Sequence, residues 1–115
     1  MDVEIRRYRT LRGTEPFTDW ISGLHDRGAR ARILVRIERV ALGNLGDAKP
    51  LRQGVWELRI DTGPGYRVYF AREGRVVVIL LGGGDKRTQD ADIEKAIDSW
   101  DEYRKRRNPN PRARP

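Results

Sequence analysis

Residues 55–87, VWELRIDTGPGYRVYFAREGRVVVILLGGGDKR, decide the fold of this 115-residue chain. They contain three short runs rich in β-branched and aromatic residues, separated by Gly-Pro-Gly and by Glu-Gly. Glycine and proline between such runs mark tight turns that join antiparallel strands. The stretch therefore predicts a three-stranded antiparallel meander, and we expect the functional residues to lie on it.

The alternation of side chains in the first two runs predicts which residues share a face of the sheet. A turn at residues 62–64 places Leu58 opposite Val68, and the same register places Arg59 opposite Arg67. Like charges directly across a strand pair are destabilising, so we expect an anion between the two guanidinium groups. The alternative is that both side chains extend into water.

The third run, residues 76–81, is apolar on both faces, which is typical of a central strand covered on both sides. A turn at Glu-Gly between the second and third runs would put Val78 and Leu80 beside Tyr69 and Arg67. This register predicts an apolar floor beneath the two arginines.

Three consecutive glycines, residues 82–84, follow the third run and are succeeded by Asp85, Lys86 and Arg87. Glycine allows the backbone to approach a ligand closely. The spacing of the glycines, with Thr88 one residue too far along, does not fit a Walker phosphate-binding loop. The segment is either a loop that approaches a ligand or a flexible connection to the next helix.

Helix signals flank the meander on both sides. A start signal at residues 14–16 precedes one apolar stripe, a second stripe ends near Leu42, and a third spans residues 88–106. Residues 3–12 alternate weakly, as an edge strand does, and residues 44–54 form a polar connection. This order predicts an α+β fold, with an antiparallel or mixed sheet of about four strands, two N-terminal helices and a C-terminal helix, and with the helices mainly on one face.

The second predicted helix carries a row of arginines on the side away from its apolar stripe. Arg32, Arg36 and Arg39 follow one another at the spacing of a single helix face. Such a row can bind the backbone of a polyanion such as RNA. A solvated helix face explains the pattern equally well.

Composition limits the chemistry that this chain can perform. It has no cysteine and one histidine, so thiolate chemistry and a His/Cys metal site are not expected, and we predict no cofactor.

The net charge of the chain is +7, divided between a basic tail and an excess of positive charge on residues 1–87. A basic folded surface favours a nucleic acid as partner. We predict one domain over residues 1–106 and a disordered basic tail at residues 107–115. Because no signal core or membrane span is evident, we expect a cytoplasmic protein without a membrane partner.

Several motifs resemble a known toxin family. Residues 30–47, RARILVRIERVALGNLGD, followed by WELRID, GPGYRVYF and LLGGGDKRTQDADIEKA, are similar to the RelE/ParE superfamily of type II toxins, and within it to the HigB-like addiction module killer proteins. The resemblance implies a compact α+β toxin and a cognate antitoxin, which is expected to be a helix-turn-helix DNA-binding protein. The superfamily includes ribosome-dependent mRNA endonucleases and toxins that act on DNA gyrase.

The resemblance also implies roles for individual residues. Arg67 matches the arginine that contacts the scissile phosphate, Lys86 and Arg87 match a basic pair after the last strand, and Arg59 lies where RelE-type enzymes have a strand lysine. Glu57 lies where those enzymes have a second lysine, so the sequence departs from the pattern there.

A second departure concerns the residue that stacks on an RNA base. Ile93 lies where the family has a stacking tyrosine, so that role passes to Tyr69 or Tyr66, or is absent. These departures leave the general base of the reaction open.

Cleavage of RNA without a metal uses the neighbouring 2′-hydroxyl as the nucleophile. The protein then has to stabilise the charge on the phosphorane, for which a guanidinium group is well suited, and to transfer protons. The candidates for proton transfer are Glu57 as base with Lys86 as acid, or Lys86 as base.

Three functions are consistent with these features. The first is a ribosome-dependent mRNA endonuclease whose partners are the ribosome, mRNA and an antitoxin. The second is a gyrase-directed toxin without nuclease activity, and the third is a non-toxic nucleic-acid-binding protein. For the antitoxin, we expect an acidic segment that docks near Arg59, Arg67 and Lys86.

Overall fold

The computed structural model describes residues 2–107, in which five strands and three α-helices form one layered unit. In chain order they are β1 (Glu4–Arg7), α1 (Pro16–Ser22), α2 (Arg27–Ala41), β2 (Ala48–Pro50), β3 (Val55–Ile60), β4 (Tyr66–Glu73), β5 (Val77–Asp85) and α3 (Gln89–Arg107). A 3₁₀ turn, Lys86–Thr88, connects β5 to α3. Arg107, the first residue of the predicted tail, is the last residue of α3, and the rest of that tail lies outside the described residues.

The strands form one mixed sheet in the order β1-β5-β4-β3-β2. β1 runs parallel to β5, and the other neighbours are antiparallel. The α+β class, the mixed sheet and the placement of the helices along the chain are therefore confirmed. The fifth strand is β2, a three-residue edge strand within the segment that was predicted to be a connection.

The β3–β4 hairpin has the predicted register. Leu58 pairs with Val68, and Arg59 pairs with Arg67. The turn fixes this register because Gly63 and Gly65 have φ angles of +53° and +82°, which other residues rarely adopt.

The predicted β4–β5 register is wrong along the whole hairpin. The strands are joined by a three-residue loop, 74–76, instead of a tight turn at Glu-Gly. A bulge at Tyr69 and Phe70 shifts the pairing by one more residue, so that Tyr69 lies opposite Gly82 and Arg67 opposite Gly84. The glycines therefore belong to β5 and do not form a loop. Val78 and Leu80 pack on the opposite face of the sheet, so they make no apolar floor beneath the arginines.

Close packing by two helices explains the glycines in β5. A Cβ atom on Gly83 would overlap the ring of Trp20 on α1, and one on Gly84 would overlap the carboxylate of Asp92 on α3. Both helices thus lie directly on the strand backbone. The low strand propensity of glycine favoured a loop at these residues. Packing against the two helices overrides that propensity.

The helices cover both faces of the sheet, so the prediction that they lie mainly on one face is wrong. α1 and α2 cover one face, where Phe17 and Ile33 are completely buried against Val68. α3 covers the other face, where Ile97 and Trp100 pack in the same cluster as β-strand residues. Two-sided burial follows from the apolar character of β4 and β5 on both faces. No helix in residues 2–107 is long and apolar enough to cross a membrane.

Candidate active site

Glu57, Arg59 and Arg67 meet on the sheet face that α3 covers, and we call them the Glu57 cluster. Glu57 Oε1 lies 2.8 Å from Arg67 Nε and 3.3 Å from Arg59 Nε. Strand alternation explains the meeting, because Glu57 and Arg59 are two residues apart on β3 and Arg59 pairs with Arg67 across the hairpin.

The anion expected between the two arginines is therefore part of the protein. The Glu57 side chain is only 1% exposed, and it forms ion pairs with two guanidinium groups at once, which leaves an excess of one positive charge. Neither Nε–H is aligned well enough for a hydrogen bond, so these contacts are ion pairs. Arg67 is further held by its Nη1, which donates to the carbonyl oxygen of Tyr66 at 3.1 Å.

The two arginines of the cluster differ in their access to solvent. The Arg67 side chain is 9% exposed, whereas that of Arg59 is 36% exposed. A ligand thus reaches the cluster mainly from the side of Arg59. The resulting arrangement is a buried, fixed guanidinium group beside a more accessible one.

Lys86 and Arg87 lie at the same end of the sheet, in the turn between β5 and α3. Asp85 orders this turn: its carboxylate accepts the backbone N–H of Arg87 at 2.8 Å and lies 2.8 Å from Arg87 Nη2. This hydrogen bonding lowers the pKa of Asp85 and raises that of Arg87. Gln89 connects the turn to the cluster, because its Nε2 donates to Glu57 Oε2 at 3.3 Å.

Both tyrosines predicted to stack on RNA are buried. Tyr66 lies on the α1 face, with its ring 6.2 Å from that of Trp20. Tyr69 lies beneath α3 with its hydroxyl unpaired among the described residues, and burial raises the pKa of this phenol. Neither ring offers a free face to a base in this structure, and Ile93 is likewise in the core.

The arginine row on α2 borders a cleft of about 480 Å³ between that helix and the end of β3. The cleft is lined by Arg32, Arg36 and Arg39 and also by Arg59, so it adjoins the Glu57 cluster. Arg32 Nη1 donates to Thr62 Oγ1 at 3.1 Å. Sequence spacing predicted the row, but not its proximity to Arg59.

Arg36 differs from the other two members of the row because its guanidinium group is used within the protein. It donates to the carbonyl oxygens of Leu45, Asp47 and Arg59 at 3.2, 3.3 and 3.4 Å. Its partial burial lowers its pKa. Arg36 therefore fixes the loop before β2, which leaves Arg32 and Arg39 as the exposed cations of the row.

Sequence reasoning missed Gln89. Gln89 had no motif to identify it, because its contact with Glu57 spans 32 residues of sequence. Asp85 carries a local signal, since an aspartate two residues before a backbone N–H commonly caps a turn.

Residues 19–101 match the model of the family described as phage derived protein Gp49-like (DUF891). The chain belongs to this family. An uncharacterized protein of Haemophilus influenzae is 50% identical to this Gp49-like chain over 86 residues, which cover 75% of the chain and 87% of the relative.

The fold of the Gp49-like chain is similar to that of a solved toxin. A free-state mutant of the Escherichia coli toxin RelE, in which two arginines are replaced by alanine, superposes with a TM-score of 0.61. The match covers 85% of this chain and 97% of RelE at 17% sequence identity. The predicted RelE-like fold is thus confirmed, while the HigB-like branch stays a prediction.

Proposed function

We propose that this chain is the toxin of a type II toxin–antitoxin system and acts as a ribosome-dependent mRNA endonuclease. Its RelE-like fold and Gp49-like family support the first part. The observation that carries the second is the convergence of Arg59, Arg67, Lys86 and Arg87 at one end of the sheet. The site of action is then the cytoplasm, where the ribosome and mRNA are found.

In this proposal the two arginines of the Glu57 cluster stabilise the charge that develops on the scissile phosphate. A guanidinium group keeps its charge at any working pH and contacts two phosphate oxygens at once. The ion pairs with Glu57 fix both groups before RNA binds, so little reorganisation is needed in the transition state. The nucleophile is the neighbouring 2′-hydroxyl of the RNA, which gives its proton to solvent water, forms a 2′,3′-cyclic phosphate and displaces the 5′-oxygen of the next nucleotide.

We assign Glu57 a positioning role and give proton transfer to Lys86. Both Glu57 oxygens are already in contact with Arg59, Arg67 or Gln89, and the carboxylate is buried. Lys86 is exposed at the edge of the site, where a single cationic group can donate a proton to the leaving 5′-oxygen. Lys86→Ala should then slow cleavage while leaving RNA affinity nearly unchanged.

In this proposal the cleft beside α2 binds RNA and takes no part in the cleavage step. Arg32 and Arg39 can contact phosphates that flank the cleaved linkage, since the cleft opens onto Arg59. The low intrinsic reactivity of a site with no histidine is consistent with a requirement for the ribosome to hold mRNA in a reactive shape.

Sequencing of transcript 5′ ends after brief induction tests the proposal. We expect clustered cuts at codon positions with the natural chain and their loss with Arg67→Ala. Arg75→Ala is a matched control, because Arg75 is exposed in the β4–β5 turn at the other end of the hairpin. Loss of DNA supercoiling without cuts would instead identify a gyrase-directed toxin, and harmless overexpression would identify a non-toxic nucleic-acid-binding protein.

The cognate antitoxin is proposed to be a helix-turn-helix DNA-binding protein that neutralises the site with an acidic segment. The cations that such a segment would cover are Arg59, Lys86 and the exposed members of the α2 row. Opposite charges at a solvated interface are screened by salt, so the complex should weaken steeply with ionic strength. Undiminished binding in about 1 M NaCl would contradict an electrostatic dock of this kind.

A further inference from the structure

One edge of β5 is paired along only part of its length. β1 pairs with residues 77–80 and then leaves the sheet. Residues 82–84 pair with β4 on one side, and Leu81 is the extra residue of the bulge. On their other side, no backbone hydrogen bond joins them to another segment of residues 2–107. An unpaired strand edge presents N–H and C=O groups that can pair with another strand.

A groove of about 490 Å³ runs along this unpaired edge. Residues 81–83 form part of its lining, Trp20 of α1 lies on one side, and α3 contributes Asp92 and Asp98 on the other. A Cβ atom added to Gly82 would meet no atom within 4 Å, so a side chain at this position would enter open space. The groove is therefore accessible and has a peptide backbone along its floor.

The dimensions and charge of the groove match one kind of occupant. Four residues of a strand span about 13 Å, the length of a short added strand. Asp92 and Asp98 outnumber Lys95, which leaves the α3 wall with an excess of negative charge. We propose that this groove binds an extended, basic segment of a partner protein by strand addition, with an apolar side chain of that segment over Trp20.

A second copy of this chain is a poorer occupant. A symmetric pairing of two β5 edges brings the α3 carboxylates of both copies to the same interface, and like charges brought together there oppose association. This proposal does not depend on nuclease activity, and the groove is separate from the Glu57 cluster.

Selection of peptides on the purified full-length chain tests the proposal directly. The probe is a displayed library of random linear peptides of about twelve residues, counter-selected against Gly82→Lys, which places a long cationic side chain in the groove. We expect enriched peptides that alternate apolar and basic residues and bind the natural chain at least about tenfold more tightly than Gly82→Lys. Gly82→Ala, which adds only a methyl group in open space, should bind like the natural chain.

Two further measurements separate strand addition from other binding. Bound peptide should slow amide hydrogen exchange at residues 81–84, and N-methylation of its backbone should abolish binding. Asp98→Lys should weaken binding, whereas Glu38→Lys on the distant α2 surface should not. These measurements also replace Gly82→Lys if that variant does not fold.

Three results would overturn the proposal. They are the absence of peptides enriched over the counter-selection, protection from exchange that is confined to other segments, and binding that survives backbone N-methylation. A dimer of the chain that itself protects residues 81–84 would identify a second copy as the occupant and would equally reject a basic partner segment.

Discussion

The Glu57 cluster and the arginine row on α2 both gather cations near Arg59, but they differ in what balances the charge. In the cluster, one buried carboxylate lies between two arginines and α3 covers the face. On α2, Arg32 and Arg39 are exposed beside an open cleft. An internal counter-ion therefore fixes the arginines of the cluster in place and offsets part of their charge, whereas the exposed arginines of the row are held less firmly and keep their whole charge for a ligand.

Removal of the internal anion should have the largest effect on stability. Glu57→Gln keeps the shape of the side chain but leaves Arg67 buried without a counter-charge. Breaking a buried ion pair from one side costs about 3–5 kcal/mol, and we expect a loss of this size in the free energy of unfolding measured with urea.

The matched control for this change is Glu38→Gln, at an exposed position of α2. It should alter the free energy of unfolding by less than about 0.5 kcal/mol. If Glu57→Gln and Glu38→Gln both changed the free energy of unfolding by a similarly small amount, the stability of the cluster would not depend on an internal anion.

The next largest effect concerns the glycine that lets α3 cover the cluster. Gly84 lies opposite Arg67, and a Cβ atom there would overlap the Asp92 carboxylate. Gly84→Ala should therefore destabilise the fold by about 1–3 kcal/mol through overpacking, as measured by urea unfolding. Gly82→Ala, which enters open space on the same strand, should be close to neutral, and equal losses would show that α3 does not lie against β5 as described.

Substitutions in the α2 row should change binding and leave stability nearly constant. Arg32→Ala and Arg39→Ala each remove one exposed cation, so we expect changes below about 0.5 kcal/mol in the free energy of unfolding. If each contacts a phosphate, each loss should reduce the slope of log affinity against log salt by about 0.7 for single-stranded RNA. Fluorescence anisotropy with a labelled RNA oligonucleotide measures this slope, and an unchanged slope would remove the row from the RNA interface.

The smallest expected effect concerns the turn that carries Lys86 and Arg87. Because the folded-state pKa of Asp85 is lowered, its contribution to stability is present above the unfolded pKa and is lost as the pH falls through the folded pKa. Asp85→Asn should therefore slightly lower stability at neutral pH and flatten its decline in the acid range below the ordinary aspartate pKa. Unfolding curves at several pH values measure this, and an identical acid profile in the variant would contradict the link between Asp85 and Arg87.

Local chemistry determined how much of this fold could be predicted. The register of the β3–β4 hairpin was predictable because a glycine-containing turn fixes it, and that register was enough to bring Arg59 opposite Arg67. The β4–β5 register was not, because the connecting loop is longer than the expected tight turn, and a run that is apolar on both faces carries no alternation to reveal the register or the bulge. The strand made by the glycines of β5 could be recognised only once Trp20 and Asp92 were seen to pack against it.

The sequence predicted which residues form the site better than it predicted their burial and contacts. Alternation places Glu57 on the same face as Arg59, yet an external anion was expected, since burial of that carboxylate depends on α3 covering the face. α3 also buries Tyr69. The stacking role was predicted from residue type alone, which gives no information about this burial. Contacts between distant elements, such as that of Gln89 with Glu57, leave no pattern in a single sequence.

The rate of mRNA cleavage in a purified translation reaction tests most directly whether the Glu57 cluster stabilises the scissile phosphate. Arg67→Ala should lower that rate about 30- to 1000-fold, which corresponds to roughly 2–4 kcal/mol of transition-state stabilisation. Arg59→Ala serves as the second variant if Arg67→Ala does not fold, and Arg75→Ala should cleave at the natural rate. Cleavage by folded Arg67→Ala and Arg59→Ala at the natural rate would contradict the assignment of the cluster as the catalytic centre.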